Sequence, residues 1–198
     1  MEKVEINKSM KLSEHFTLGE LCKTKHDTED GNIPSHVAIE NLKSICENWL
    51  EDLRYSYNRL YSRSEECGVD AGVRPQSKVA GDCTLAPDPG AAPELGAAPA
   101  SRKEEPIVIN SGYRSPEVNR LAGGAKTSNH LSGCAVDIRC AGKEQMIRYA
   151  SILVDIADGT KQDFDELLLE QHGNICWLHF AVRPPSQGNR RKIDFLKG

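Results

Sequence analysis

Ser128-Asn129-His130-Leu131-Ser132-Gly133-Cys134-Ala135-Val136-Asp137 runs from a polar turn into a strand and places a histidine and an aspartate seven positions apart. From Cys134 to Arg139 the side chains alternate: Val136 and Ile138 fall on one face, Ala135, Asp137 and Arg139 on the other, the two-residue period of a strand. A carboxylate buried bare in such a strand is costly, so Asp137 calls for a cation or several donors. Gly133 and Ala135 are small enough to let the backbone and a metal approach closely.

Around this stretch the chain reads as a mixture of strands and helices. Upstream, Ile107-Val108-Ile109 is expected to be a strand. Ser115 to Ala122 is expected to be a helix, with Ser115 as cap, Pro116 in the first turn and Gly123-Gly124 as its end. Downstream, Lys143 to Asp158 has the helical period, with Met146, Tyr149, Ile152, Leu153 and Ile156 inward. Glu166 to Gln171 and Ile175 to Val182 read as two strands about a turn at Gly173-Asn174. Near the N-terminus, Ser35 is a plausible cap for a helix whose apolar stripe is Val37, Ile39, Leu42, Ile45, Cys46, Trp49, Leu50, Leu53 and Tyr57. Strands and helices without regular alternation indicate an α+β fold and not a doubly wound sheet.

A different composition interrupts this pattern. Between Ala71 and Ala100, Ala, Gly and Pro supply 17 of 30 residues, too little burial to offset the entropy of ordering. The expectation is one domain over 1–198 with a disordered low-complexity insertion at 64–105. The whole chain, 198 residues with 38% hydrophobic residues, suffices for one core. A net charge of -4 argues against nucleic acid as the main partner, since phosphate binding needs a concentrated basic face. Arg190-Arg191-Lys192, the one basic cluster, reads as a solvated tail. No run is apolar enough to span a membrane and Met1 to Leu12 lacks a signal-peptide core. The expected location is therefore the cytoplasm as synthesised, with release to the cell wall through a lysis pathway as an alternative. A monomer is expected. The seven cysteines form no C-x-x-C pair, so neither a disulfide scaffold nor a cysteine-rich zinc finger is indicated.

His179 lies in the apolar strand Ile175-Cys176-Trp177-Leu178-His179-Phe180-Ala181-Val182 and needs a partner. Two histidines and a carboxylate are a sensible catalytic zinc set, which leaves a coordination position open. Spacing alone leaves alternatives: His179 as a satisfied core histidine, Asp137 paired with Arg139 or Arg114.

The ten-residue stretch resembles the S-x-H-x-x-G-x-A-x-D signature of the zinc D-alanyl-D-alanine carboxypeptidases and endopeptidases. Ser111-Gly112-Tyr113-Arg114-Ser115 is similar to their S-G-Y-R-S segment, and Trp177-Leu178-His179 to their W-x-H ligand strand. Ser13 to Leu21 resembles the opening of the single-domain branch seen in phage lysins. The resemblance implies a Hedgehog/DD-peptidase fold, a small antiparallel sheet flanked by helices, and one zinc ion per chain held by His130, Asp137 and His179. It further implies that Arg114 binds a substrate carboxylate, which suits a guanidinium, and that Ser128 hydrogen-bonds the substrate or orders its loop. Tyr113 and Asn129 are read equally as lining the site and as packing. The implied activity is hydrolysis of D-Ala-type bonds in peptidoglycan stem peptides.

Some relatives place a glutamate three residues before the last histidine, where this chain has Cys176. A two-residue turn at Gly173-Asn174 would put Glu170 opposite Trp177 and diagonal to His179. Glu170 is thus the candidate general base, or else a group that orients a ligand histidine. His172, on the same face, is the candidate oxyanion stabiliser. The competing readings are a zinc-containing peptide-binding module without turnover, supported by Cys176, and a closed structural zinc site using Cys176 or Cys134. Parity argues against the latter, because both cysteines alternate away from the ligand face.

Overall fold

The structure is a computed structural model that describes residues 7–61 and 104–198. Met1–Tyr61 with Glu105–Gly198 forms one unit and Ser62–Glu104 a second. The insertion expected at 64–105 lies, except for its last two residues, outside the described residues.

A short helix α1 (Leu18–Leu21) opens the described fold, closed by a reciprocal capping box between Thr17 and Glu20. Helix α2 (His36–Ile45) begins at Ser35, whose side chain accepts the Ala38 N–H as expected of a cap. It runs through one π turn, Cys46–Leu50, into α3 (Glu51–Tyr61). Ala38, Leu42, Ile45, Cys46, Trp49, Leu50, Leu53 and Tyr57 are buried. Val37 is not: it is 67% exposed, because at about 100° per residue it points roughly 140° away from Leu42, and Ala38 takes the inward place.

The sheet has the order β1-β2-β4-β3-β5, formed by β1 (Ile109–Ser111), β2 (Ala135–Cys140), β3 (Glu166–His172), β4 (Ile175–Ala181) and β5 (Lys192–Lys197). The first four are antiparallel neighbours, while β5 adds to β3 in parallel, so the sheet is mixed. Strand β1 begins two residues later than expected, with a register shift between Ile109 and Ser111. The Val108 carbonyl still accepts the Arg139 N–H at 2.9 Å. Helix α4 (Pro116–Leu121), capped by Ser115, and α5 (Lys143–Thr160) fall where the sequence places them.

Alternation divides the sheet into two chemical faces. Val136, Ile138, Leu167, Cys176, Leu178 and Phe180 are buried with the stripe of α2–α3 and with Met146, Tyr149 and Leu153 of α5 in one apolar core. Trp49 meets Phe180 at 5.0 Å and Phe164 at 6.4 Å between ring centroids. Burying each such side chain contributes about 2 kcal/mol, and this fixes which face of β2, β3 and β4 turns inward. The other face carries Asp137, Arg139, Glu166, Leu168, Glu170, Trp177 and His179.

The basic cluster near the C-terminus is not a solvated tail. Arg190 binds Asp165 at 2.7 Å through two nitrogens and Glu166 at 3.0 Å, Lys192 lies 3.7 Å from Glu166, and Arg191 pairs with Asp158 and Asp163. These pairs join the start of β5 to β3 and to the end of α5. Their acidic partners lie 24 to 33 positions upstream, too far to read from a run of three charges.

Candidate metal centre

His130, Asp137 and His179 come from three elements. His130 sits in a 3₁₀ turn, Asn129–Ser132, capped by Ser128, whose Oγ accepts the His130 N–H at 3.3 Å. Of the two roles expected of Ser128, the structure displays the ordering of its loop. The turn ends at Gly133 in the left-handed region, with φ 70°. A Cβ there would stand 2.3 Å from the Ala38 carbonyl oxygen. The small residue therefore makes room for α2 behind the turn, and not for the metal, as the sequence suggested. Asp137 and His179 face each other directly across β2 and β4.

Three donor atoms converge. His130 Nε2 lies 3.2 Å from Asp137 Oδ1 and 3.2 Å from His179 Nδ1, and His179 Nδ1 lies 2.9 Å from Asp137 Oδ1. Ligands bound tetrahedrally at about 2.0 Å would be ~3.3 Å apart, so the triangle matches the edge of a zinc tetrahedron. Tautomer chemistry agrees. His130 Nδ1 donates to the Gly112 carbonyl at 2.5 Å, which leaves the Nε2 lone pair facing the other donors. Gly112 can offer that carbonyl because it lies flat against α1: a Cβ would be 2.4 Å from the Leu21 oxygen. His179 presents Nδ1 to the cluster and turns Nε2 toward Glu166, 3.8 Å away. The residues present fit a single zinc ion with a position left open.

Electrostatics reinforce the geometry. Burial pushes the Asp137 carboxyl up, but His130 and His179 more than offset this and hold it far below the carboxylate range. Burial pushes His179 down, and hydrogen bonds to Asp137 and Glu166 outweigh it, lifting it to about 9. Asp137 thus stays an anion, and in the metal-free cluster His179 carries the proton that a cation would replace.

Arg114 donates from Nη2 to Asp137 Oδ2 and from Nε to Ser111 Oγ at 2.8 Å. These two bonds hold the Asp137 carboxylate on the side away from the histidines, at the border of a cleft. Glu170 is opposite Trp177 and Leu168 opposite His179, the register expected from the sequence, so Glu170 is diagonal to His179. Burial, then the charge of Asp137, lift its carboxyl above the ordinary value. His172 pairs with Ile175 at the exposed end of β3, four residues or ~13 Å along the strand from Leu168, and the structure does not bring it to the cluster. Cys176 is buried in the apolar core, on the face away from His179. Tyr113 also packs in the core, while Asn129 donates to Asp165 at 2.9 Å and to Glu166 at 3.3 Å.

Two residues were not anticipated. Glu166 lies diagonal to His179 on the other side from Glu170, and parity along β3 could have found it. Asp165 is fully buried and takes Arg190, Arg183 and Asn129. A charged residue just before a mostly apolar strand was its sole signal.

A family model described as peptidase M15 matches residues 74–165. This match supports the M15 zinc peptidase family, and with it a metallopeptidase. It takes in Arg114, Ser128, His130 and Asp137 and stops short of His179, which the β2–β4 pairing supplies. Residues 74–103 of the M15 match lie outside the described residues. No curated protein matches the chain. Among the described residues, no helix is long and apolar enough to cross a membrane.

Proposed function

We propose that this chain is a zinc-dependent peptidase that hydrolyses D-Ala-type bonds in peptidoglycan stem peptides. The observation that carries the reading is the convergence of His130 Nε2, Asp137 Oδ1 and His179 Nδ1 to separations of 2.9 to 3.2 Å beside an open cleft. When bound there, zinc supplies a Lewis acid and makes water a nucleophile near neutral pH. The chain's own residues do the rest. Arg114 fixes the ligand oxygen of Asp137 by holding the other. Glu166 orients His179 through its free nitrogen. Glu170 takes the proton of the attacking water and hands it to the leaving amine, a task suited to a carboxylate whose affinity for protons is raised. His172 has no part in this scheme, because the end of β3 lies too far along the strand.

The cleft beside Asp137 measures about 610 Å³ and is bordered by Ser111, Arg114, Arg139 and Trp177. A volume of this order admits a short peptide. The binding-module alternative rested on Cys176 in place of a carboxylate. With Cys176 in the core and two glutamates on the neighbouring strand, that position carries no argument about turnover.

The test is incubation of zinc-loaded protein, its metal content verified, with defined muropeptides, followed by mass spectrometry. Loss of one alanine, blocked by a chelator and by His130→Ala, establishes a carboxypeptidase. A cut at a cross-bridge establishes an endopeptidase. Stoichiometric zinc with no product from any muropeptide overturns the enzymatic reading.

A further inference from the structure

The cleft carries a charge opposite to that of the chain. Lys23, Lys25, His26, Arg114 and Arg139 border it, and Asp137 is the one carboxylate among the described residues that line it. Both oxygens of Asp137 are engaged, by Arg114 on one side and the two histidines on the other. The cations therefore exceed the anions on these walls, in a protein whose net charge is -4.

Arg114 is not the cation left over, since Asp137 and Ser111 hold it. Arg139 is. It stands two residues beyond Asp137 on the same face of β2 and opposite Trp177, ~7 Å along the strand from the ligand. Its side chain is exposed, and among the described residues no hydrogen bond or ion pair holds its guanidinium; the same is true of the Lys23 and Lys25 ammonium groups. One solvated arginine is ordinary. Three cations with no partner among the described residues, bordering one concave surface whose one lining carboxylate is already engaged, focus a positive potential where a ligand would sit. An arginine is also the side chain best matched to a carboxylate, through two parallel N–H donors.

We propose that Arg139, with Lys23 and Lys25 bordering the same cleft, binds a carboxylate of the peptide there, so that the site selects anionic peptides. The distance from Asp137 places that carboxylate within about two residues of the cleaved bond, at ~3.5 Å per extended residue. It is either the C-terminal carboxylate or that of an acidic residue next to the bond. The inference rests on the peptidase reading for the identity of the ligand as a peptide.

The test is a binding measurement, so it does not depend on turnover. Trp177 borders the cleft while Trp49, the other tryptophan, is fully buried, so intrinsic fluorescence of the zinc-loaded full chain reports occupancy, with Trp177→Phe as the silent control. The probe is a stem peptide ending in D-Ala-D-Ala with a ketomethylene in place of the scissile amide. It is used in three forms: the free acid, the C-terminal amide, and the acid with its side-chain carboxylate amidated. One amidation is expected to weaken binding about tenfold or more, and which one does so identifies the carboxylate. Arg139→Gln is expected to erase the preference, Arg139→Lys to restore part of it, and added salt to shrink it. Equal binding of all three forms, a preference that survives Arg139→Gln, or no binding by any form overturns the proposal. Binding that depends on Arg139 without cleavage of muropeptides would sink the hydrolytic reading alone. Cleavage indifferent to the carboxylate would sink this one alone.

Discussion

Glu166 and Glu170 are two glutamates on one strand, both diagonal to His179, and their surroundings drive them apart. The hydrogen bond to His179 lowers Glu166; burial opposes this, but Arg190 adds to it, and the carboxyl ends below its ordinary value. Burial, then Asp137, raise Glu170. A carboxylate that stays charged suits the orientation of a ligand, and one that takes protons more readily suits a shuttle. Glu170→Gln is therefore expected to lower kcat by roughly 10²–10⁴-fold with zinc content unchanged. Glu166→Gln is expected to weaken zinc binding about tenfold or more, with a smaller loss of kcat at saturating zinc. Rates on a D-Ala-terminated peptide, measured beside metal content for both variants, check the assignment. Exchange of the two patterns would exchange the roles.

At the scale of elements, what was legible in the sequence was what depends on local period. The two-residue turn at Gly173-Asn174 fixed the β3–β4 register, and alternation along β2 and β4 set Asp137 and His179 on one face. The Ser35 and Ser115 caps stood where their side chains and the following residues put them. Contacts between distant segments were not legible. Strand β5 is short, exposed along its whole length and paired in parallel, so it shows neither a buried face nor a hairpin turn. The pairing of Asp137 with Arg114, across 23 positions, was one of two alternatives, and spacing offered nothing to choose it over Arg139. Gly133 shows the difference most plainly, because its type was readable and its reason was not. The turn holding His130 is pressed onto α2 at Ala38, and Asn41 donates to the Ser132 carbonyl at 2.9 Å. Gly133→Ala must place a Cβ against backbone in the left-handed region, and is expected to cost at least ~2 kcal/mol. Urea denaturation of the metal-free protein measures this. The same variant should lose zinc affinity, because the turn cannot move without taking His130 with it. Unchanged stability would show that α2 yields and that the contact does not position the turn.

At the scale of the whole unit, two centres tie separate segments together, and both respond to solution conditions. The first is the cluster of His130, Asp137 and His179, which joins a turn and two strands. A ligand that binds only the folded chain stabilises it by about 4 kcal/mol at a thousandfold excess over Kd, so a chelator is expected to lower Tm. His130→Ala should abolish that response. The second is Asp165, fully buried and bound by Arg190, Arg183 and Asn129 from the loop after β4 and the site turn. Burial raises its carboxyl, but Arg190, Asn129 and Arg183 outweigh this and hold it below the ordinary value. A depressed carboxylate contributes stability that is complete above its unfolded pKa, ~3.9, and is lost as pH falls through the folded one. The protein should therefore lose stability between about pH 4 and the lower folded pKa, with a proton taken up on unfolding. Asp165→Asn removes that titration. At pH 7 it is expected to cost about 3 kcal/mol, toward the low end for breaking a buried ion pair, because Arg190 remains half exposed and can rehydrate. Denaturant midpoints of the parent and the variant from pH 3 to 7, with zinc absent, separate this from the metal. Curves that converge as pH falls support the assignment. Parallel curves would mean that Asp165 acts through packing alone and that the acid sensitivity lies elsewhere.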